Sequence, residues 1–332
     1  MRRNRTVRLA KRPQGLPPAD TWAIADEPAP VPGEGEVLVE VKAISLDPAM
    51  RGWINEGRSY VPPVEIGAVM RAGAAGEIIE SRHPDWPAGT AVAGALGVQR
   101  LAVAKPAELE RIDLSVADYP TWLGVLGMPG MTAWFGLLDV GAPRPGETIV
   151  VSAAAGAVGG LVGQIARIHG CRAVGIAGGP EKRRYVVEEL GFDAAVDYRE
   201  GGLLRRLAEA VPEGIDIYFD NVGGEALEAA LSLLRRRARV VLCGAISGYN
   251  DFQRIAGPRN YLNLIVQRAR MEGFIVFDYA ERYPEAKRQI AAWLAEGRVK
   301  AREDVQHGLD RFPEVLNMLF NSKNFGKLVL VP

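Results

Sequence analysis

Cysteine and histidine are scarce in this chain of 332 residues, which has two cysteines and three histidines. Cys171 and Cys243 lie in apolar, strand-like segments without Cys-x-x-Cys spacing, so they indicate small core residues and not a disulfide or a zinc site. His83 precedes a proline, His169 ends a helical pattern and His307 lies in the tail. Because these side chains form no clustered ligand set, we expect no metal site.

Long hydrophobic runs and an excess of charge are also missing. The 40 basic and 40 acidic residues cancel, which gives no indication of a nucleic acid or an anionic membrane as a partner. No apolar run reaches the ~18 residues that a membrane span requires. The basic residues 1–5 precede no apolar segment of the kind found in a secretory signal. We therefore expect a cytoplasmic protein without nucleic-acid or membrane partners, and no elbow motif supports a Ser-His-Asp triad.

What the chain does contain is a strand–turn–helix–strand pattern at residues 148–182. In that context a glycine pattern becomes a usable dinucleotide fingerprint, Gly-x-Gly-x-x-Gly. Ala154, Gly156 and Gly159 stand at its three positions, with alanine replacing the first glycine. The free N–H groups and the dipole at the helix start then face a pyrophosphate. The alternative is a glycine-rich turn in an ordinary parallel sheet.

The residues at the end of the second predicted strand indicate which nucleotide the site binds. NAD sites usually carry an acid there, about 20 residues past the glycines, to bond the ribose 2′-hydroxyl. Residues 177–179, which include Gly178, contain no acid, and Lys182, Arg183 and Arg184 follow. The basic cluster suits a 2′-phosphate and favours NADP(H); the alternative is a set of solvated charges on a helical turn.

The rest of the chain predicts two domains and an α/β fold class. Before a helical pattern at 119–138, the chain is rich in proline, glycine and short β-like runs, which indicates a β-rich domain. After it, strands and helices alternate as βαβ units require, so we expect a Rossmann doubly wound parallel sheet. The tail holds a helix at 286–295 and a β-like run at 325–331 that returns to the first domain. Beyond 182, the predicted strands are 194–198, 215–221, 238–244 and 273–277, and the predicted helices are 185–190, 203–210, 226–234 and 262–269.

Ligands in such sheets bind at the carboxyl ends of the strands. In the loop at 244–250 this rule selects Tyr249, whose hydroxyl can donate a hydrogen bond to a carbonyl oxygen that gains charge on hydride addition. The alternative is a loop tyrosine that packs on the domain rim. The other residues that follow predicted strands are Ala155 and Gly156, Gly178 to Lys182, Tyr198, Asn221, and Phe277 to Tyr279.

Further motifs span the chain at 45–48, 50–52, 62–67, 126–133, 153–160, 220–224, 243–250, 273–279 and 324–327. Together they resemble the zinc-independent medium-chain dehydrogenase/reductases, in the branch of leukotriene B4 12-hydroxydehydrogenases and prostaglandin reductases. Within that branch the chain is most similar to bacterial NADPH-dependent curcumin reductases.

The resemblance implies a GroES-like substrate domain at 1–126, rejoined by 298–332, and a Rossmann NADP-binding domain at 127–297. It implies a homodimer that uses NADPH to reduce the C=C bond of α,β-unsaturated ketones or aldehydes. Hydride goes to the β-carbon, and the enolate is protonated at the α-carbon. The alternatives are a quinone reductase or alcohol dehydrogenase on the same fold, or a non-enzymatic NADPH-binding structural or sensor protein.

The resemblance also implies roles for individual residues. Lys182 and Tyr198 would hold the 2′-phosphate, and Tyr249, a ribose hydroxyl or water would donate to the enolate. Many relatives carry a tyrosine where this chain has Ala49, which predicts a bulkier or different substrate, with Tyr60 as an aromatic wall. The remaining substrate-pocket residues are Met50 and Tyr279. The remaining residues predicted to line the cofactor are Gly156, Ala157, Val158, Asn221, Cys243, Gly244, Ala245, Ile246, Ser247, Tyr249, Phe274, Ile275, Val276, Phe277 and Asn324.

Overall fold

The computed structural model describes residues 2–57, 59–251 and 255–332, so Met1 of the basic amino terminus lies outside the described residues. The chain divides into two compact units. Unit 1 comprises Met1–Gly124 and Glu303–Pro332, and unit 2 comprises Val125–Arg302. Within the described residues, no helix is long and apolar enough to cross a bilayer.

The first part of unit 1 is mostly β-structure. A two-stranded antiparallel hairpin precedes strands that pair around one long central strand, β3. That strand tolerates close pairing because its neighbour presents Gly76, where any Cβ would overlap the Glu40 carbonyl. The elements are β1 (Arg3–Leu9), β2 (Trp22–Pro28), β3 (Val37–Ser45), α1 (Ala49–Trp53), β4 (Ala74–Ser81), β5 (Ala91–Gly94), β6 (Leu101–Ala104), β7 (Leu109–Arg111) and α2 (Tyr119–Leu123).

Unit 2 is a six-stranded parallel sheet with helices between its strands, which confirms the predicted fold class. Its first strand is central and buried on both faces, as its Thr-Ile-Val-Val-Ser run predicts. The elements are α3 (Met128–Phe135), β8 (Thr148–Ser152), α4 (Ala157–Ile168), β9 (Arg172–Ala177), α5 (Pro180–Arg184), β10 (Ala194–Asp197), α6 (Leu203–Ala210), β11 (Ile215–Asp220), α7 (Gly224–Ser232), β12 (Leu234–Leu242), α8 (Asn263–Gln267), β13 (Arg270–Gly273) and α9 (Tyr283–Ala295).

The strand order in unit 2 is β10-β9-β8-β11-β12-β13. The chain therefore runs outward from β8 in one direction and then, from β11 onward, in the other. The carboxyl ends of β8 and β11 flank the point at which the order reverses, and open parallel sheets bind ligands at such a switch point. This topology places the turns after β8, β9 and β11 along one edge of the sheet.

The predicted sixth strand at 273–277 is wrong. The strand is β13, which pairs with β12 from Arg239↔Arg270 to Leu242↔Gly273 and ends where β12 ends. The apolar residues beyond it serve packing instead of strand pairing, because the side chain of Val276 is buried at the start of a 3-10 helix, Val276–Arg282. Both cysteines also lie just outside strand ends, Cys171 before β9 and Cys243 after β12, and both are free thiols.

The carboxyl-terminal part completes unit 1 with β14 (Glu303–His307), α10 (Phe312–Phe320) and β15 (Lys327–Val331). Strand β15 pairs antiparallel with β3 and parallel with β14. A buried ion pair ties its first residue to the end of β3, because Lys327 Nζ lies 2.7 Å from Asp47 Oδ1 and donates to Leu46 O at 3.0 Å. Helix α10 was not predicted from the sequence.

Candidate functional site

The turn from β8 to α4 has the geometry of a phosphate cradle. Ala153 adopts a left-handed conformation (φ 52°), which costs an alanine about 1 kcal/mol. This residue, one before the first fingerprint position, makes the sharp turn. Any Cβ at Gly159 would overlap the Ala153 carbonyl, and one at Gly156 would lie 3.2 Å from the same oxygen. The turn therefore excludes a side chain at Gly159 and leaves little room for one at Gly156, whereas Ala154 is accommodated as a buried methyl group beside β9.

Helix α4 begins without a side-chain cap, since Gly156 occupies its N-cap position. The first N–H groups of a helix have no carbonyl partner within it. Ala157 and Val158, at this end of the helix, are only half-buried. Twelve residues of aligned peptide dipoles favour a negative charge there. The residues present therefore fit a dinucleotide pyrophosphate.

The turn after β9 is held by a buried carboxylate. Asp197, at the end of β10, accepts hydrogen bonds from the N–H of Gly179 at 2.9 Å and from the N–H of Arg199 at 2.9 Å. Because both of its oxygens are engaged and the side chain is buried, this acid is not positioned to bond a ribose hydroxyl. A Cβ at Gly178 would lie 2.7 Å from a ring carbon of Tyr198. The aromatic ring thus lies across the glycine, and the half-buried Lys182 projects from α5, which follows the turn.

At the end of β11, Asp220 organises the neighbouring loop. Its Oδ1 accepts hydrogen bonds from the Ser152 and Tyr218 hydroxyl groups, each at 3.0 Å. It also accepts from the N–H groups of Val222 at 3.0 Å and Gly223 at 2.9 Å. Burial raises the pKa of this carboxyl. The composition of the loop indicated its place in the site, but no local signal predicted that one carboxyl oxygen would collect four donors.

Asn221 is held by the same network. Its side-chain amide donates to Ser152 O at 2.8 Å, and its backbone N–H donates to the Ser152 hydroxyl at 2.8 Å. The residue therefore joins the carboxyl ends of β8 and β11, the two strands at the switch point. The contact of Asn221 with a bound dinucleotide stays a prediction.

The loop after β12 packs back on the same edge. The N–H groups of Cys243 and Gly244 donate to Asp220 O at 2.9 and 3.0 Å. Burial, with a smaller contribution from Asp220, raises the pKa of the Cys243 thiol to about 12, so the thiol is protonated at neutral pH. Ser247 Oγ donates to Val222 O at 2.6 Å. These bonds fix the predicted loop, including Ala245 and Ile246, against the end of β11.

Tyr249 lies half-buried in that loop, with its hydroxyl turned back toward the backbone. The oxygen accepts a hydrogen bond from the N–H of Ala245 at 3.2 Å. In this contact the hydroxyl oxygen is the acceptor, and a tyrosine hydroxyl can also act as a donor.

The segment after β13 forms an aromatic cluster. Phe274 packs edge-on against Phe219 and Tyr279, and Tyr279 stacks on Phe135 with ring centroids 4.8 Å apart. Burial, with nearby acids, raises the pKa of Tyr279. Ile275 is half-buried and Phe277 is exposed. The structure thus assigns Tyr279 a packing contact within unit 2.

Unit 1 holds the other predicted residues. Met50 is completely buried in the core, and its sulfur accepts a hydrogen bond from the N–H of Asp47 at 3.4 Å, so only Ala49 of the pair is partly exposed. Tyr60 accepts from Trp53 Nε1 at 3.1 Å. Asn324 donates to Gly326 O at 3.1 Å. Among the residues described, no group of three or more His, Cys, Asp or Glu side chains is placed to hold a metal ion.

Two segments of the chain match family models. Residues 5–112 match the N-terminal domain of oxidoreductase, and residues 157–292 match the model described as zinc-binding dehydrogenase.

Three curated relatives are similar along most of the chain. The NADPH-dependent curcumin reductase of Escherichia coli (strain K12) is 42% identical, covering 99% of this chain and 96% of its own. The NADP(+)-dependent 2-alkenal reductase of Nicotiana tabacum is 40% identical, covering 90% and 88%. Prostaglandin reductase 1 of Oryctolagus cuniculus is 36% identical, covering 96% and 90%.

A solved structure has the same fold throughout. The crystal structure of CurA in complex with NADPH from Vibrio vulnificus has a TM-score of 0.93 and 40% sequence identity to this chain, with 98% of each chain covered.

Proposed function

The chain belongs to the zinc-independent medium-chain dehydrogenase/reductases, in the branch of leukotriene B4 12-hydroxydehydrogenases and prostaglandin reductases, and on this basis we propose that its substrate is an α,β-unsaturated ketone or aldehyde. The protein is an oxidoreductase that uses NADPH and acts on CH–CH groups. The relatives named for alkenals, prostaglandins and curcumin support reduction of the substrate C=C bond. NADPH, when bound, supplies a hydride, which the β-carbon accepts, while a proton reaches the α-carbon.

The placement of Tyr249 carries this proposal. Its hydroxyl lies on a loop at the carboxyl edge of the unit 2 sheet, the edge that also holds the β8–α4 cradle. The hydrogen bond that it accepts from the N–H of Ala245 polarises the O–H group and strengthens it as a donor. A donor aimed at the substrate carbonyl stabilises the negative charge that develops when the β-carbon accepts hydride. A ribose hydroxyl of the cofactor or a water molecule is the alternative donor.

Tyr249→Phe tests that role. We expect kcat to fall at least tenfold, since removal of one donor to a developing oxyanion costs about 3 kcal/mol in well-studied enzymes. The KM for NADPH should remain unchanged, because the ring that borders the loop is retained. An unchanged kcat would move the donor role to the ribose or to water.

The substrate class is tested by product analysis. Purified protein is mixed with NADPH and a panel of enones and alkenals, and the loss of NADPH absorbance is followed. The proposed function predicts a saturated ketone or aldehyde. An allylic alcohol would indicate an alcohol dehydrogenase, and a hydroquinone from a quinone acceptor would indicate a quinone reductase. Tight NADPH binding without turnover of any acceptor would indicate a structural or sensor protein.

We propose that Ala49 widens the substrate side of the site, since the family resemblance implies a tyrosine at that position in many relatives. Ala49 is partly exposed at the start of α1, while the adjacent Met50 is completely buried. Ala49→Tyr should therefore raise the KM for bulky enones while leaving small alkenals unaffected. Equal changes for both substrate sizes would contradict the proposal.

A homodimer is the proposed assembly, with unit 2 as its interface. Strand β13 is an edge strand of the sheet, and α8, which precedes it in the chain, exposes Ile265 at 72% and Val266 at 60% of their surface. Antiparallel pairing of two β13 strands about Met271 would set Arg270 of one copy opposite Glu272 of the other, which is charge-complementary. A second copy of this chain therefore suits both the apolar face and the edge strand.

Light scattering coupled to size exclusion tests the assembly. The wild-type protein should have the mass of two chains, and Ile265→Glu should have the mass of one. Leu204→Glu, on the exposed face of α6, is the matched control and should remain dimeric. A monomeric wild-type protein, or a dimeric Ile265→Glu variant, would exclude this interface.

We also propose a cytoplasmic location. Cys171 and Cys243 are free thiols, as expected for a protein in a reducing compartment. Fractionation of the source cells tests this, and recovery from a secreted or envelope fraction would contradict it.

A further inference from the structure

Arg199 follows Tyr198 on the loop after β10 and lies against the turn after β9. A Cβ on Gly178 would come within 2.8 Å of Arg199 Nε, and one on Gly179 within 3.6 Å of Nη1. The backbone of Arg199 is fixed by its N–H bond to Asp197 Oδ1, and the other oxygen of that carboxylate holds the N–H of Gly179. One buried carboxylate therefore joins the arginine to the glycine turn.

Arg199 differs from two neighbouring arginines in having no acidic partner among the described residues. Arg183 and Arg206 both pair with Glu200. The guanidinium of Arg199 forms no ion pair with any carboxylate in the part of the chain that the structure describes, and its Cζ lies 5.8 Å from the centroid of the Tyr198 ring. Its acidic neighbour Asp197 is committed to backbone N–H groups. The turn after β9 therefore lies against a guanidinium that has no carboxylate partner among the described residues.

We propose that Arg199 is a specificity-determining residue that binds the 2′-phosphate of NADPH. A planar guanidinium can make two parallel hydrogen bonds to a phosphate, whereas a lysine ammonium acts as a point charge. The residue therefore adds a directional contact to Lys182 and Tyr198, which the family resemblance implies for the same phosphate. The inference also explains Gly178, because a side chain there would displace both the Tyr198 ring and the Arg199 guanidinium. It rests on the use of NADPH and not on the identity of the enone.

Calorimetric titration of the full-length protein with two nucleotides isolates the phosphate contact. Adenosine 2′,5′-bisphosphate carries the 2′-phosphate, and adenosine 5′-monophosphate lacks it. Arg199→Ala should weaken binding of the bisphosphate by about 10- to 100-fold, the range for loss of a hydrogen bond to a charged group. Binding of the monophosphate should change by less than about twofold, since neither the adenine nor the ribose contact is removed. Arg199→Lys should recover part of the bisphosphate affinity, because it retains the charge but not the fork.

Arg205→Ala is the matched control. Its side chain is exposed on α6 and pairs with Glu209 in the same helix, so the variant removes one positive charge from unit 2 without touching the turn. Both nucleotides should bind to it as they bind to the wild type, and thermal melting should show all variants folded. A parallel measurement of kcat/KM should show a fall in the preference for NADPH over NADH in Arg199→Ala, a smaller fall in Arg199→Lys, and none in Arg205→Ala.

Three results would overturn the proposal. If Arg199→Ala weakened the binding of both nucleotides equally, the residue would contact the part that they share and not the 2′-phosphate. If it weakened the binding of neither, Arg199 would be a solvated surface charge. If Arg205→Ala weakened bisphosphate binding as much as Arg199→Ala does, the effect would come from the net charge of unit 2. Because wild-type binding of the bisphosphate does not depend on turnover, failure of this proposal is distinguishable from failure of the enone proposal.

Discussion

The carboxyl edge of the unit 2 sheet and the Asp47–Lys327 corner of unit 1 both hold polar groups away from water, but by different means. At the edge, backbone N–H groups and short glycine turns do the binding, and the partners of Asp220 Oδ1 on its own loop are two and three residues away. At the corner, two charged side chains 280 residues apart meet in a buried ion pair. A site built from backbone is set by local sequence, whereas a site built from distant side chains depends on the whole unit.

Among these predictions, removal of one partner of the Asp47–Lys327 ion pair should have the largest effect on stability. Lys327→Met leaves Asp47 buried without a cation, which costs about 3–5 kcal/mol of unfolding free energy. Denaturant unfolding of the variant measures this. The Lys327→Met, Asp47→Leu double variant removes both charges and should recover most of the stability. A single variant as stable as the wild type would show that the pair is not the organising contact of this corner.

A side chain placed in the β8–α4 turn should have the next largest effect, on both NADPH binding and stability. In Gly159→Ala the new methyl group overlaps the Ala153 carbonyl and moves the turn, so the variant should bind NADPH at least tenfold more weakly and lose about 1–3 kcal/mol of stability. Fluorescence titration with NADPH and thermal melting test both effects. Gly257→Ala is the control, since a Cβ there meets nothing within 4 Å. Equal binding by the two variants would mean that the backbone of the turn does not hold the pyrophosphate.

Removal of the Lys182 cation at the same edge should have a smaller effect, confined to the KM for NADPH. Lys182→Ala should raise the KM for NADPH about tenfold, the range for one charge-assisted hydrogen bond, while the KM for NADH stays within about twofold. Steady-state kinetics with both cofactors distinguish the two outcomes. Equal increases for NADPH and NADH would refute the 2′-phosphate role.

The smallest effect should be on the pH dependence of stability. Burial raises the pKa of Asp220 in unit 2 above its ordinary value of 3.8. A carboxyl whose pKa is higher in the folded than in the unfolded state stabilises the fold below its unfolded pKa. That contribution is lost as pH rises through the folded pKa.

The Asp220→Asn variant should therefore lose less stability than the wild type as pH rises above 3.8, because it has no carboxyl to ionise. Glu303→Gln is the corresponding variant in unit 1 and should show the same trend, because burial also raises the pKa of Glu303. Melting temperatures across this pH range test both variants. A pH profile of Asp220→Asn that matches the wild type would assign the dependence to other groups.

Sequence patterns predicted the elements whose signal is local. The apolar run of β8, the helical period of α4 and the glycines between them sit within residues 148–168, and the structure has each in its expected place. The boundary of β13 was missed because it is set by where the neighbouring strand β12 ends. Helix α10 was missed, although its apolar residues line the core of unit 1.

The same division applies to individual residues of the site. Gly156 and Gly159 were predicted because a turn that approaches phosphate demands small residues at that spacing. Arg199 was not predicted, because an exposed arginine in an Asp-Tyr-Arg-Glu segment has no periodic or motif signal. Met50 was placed in the substrate pocket by resemblance, but the structure has it completely buried, with its sulfur bonded to Asp47 N–H.

The sequence by itself determined the parallel α/β sheet, the glycine turn between β8 and α4 and the use of NADPH, because each depends on neighbouring residues whose steric and hydrogen-bonding needs are local. Only the tertiary structure decided that Asp220 Oδ1 collects donors from two strands, that Arg199 lies on Gly178, and that Lys327 neutralises Asp47. These contacts join strands or loops that are distant in the chain. Their geometry is set by how the strands pair, and no local pattern of residues encodes that pairing.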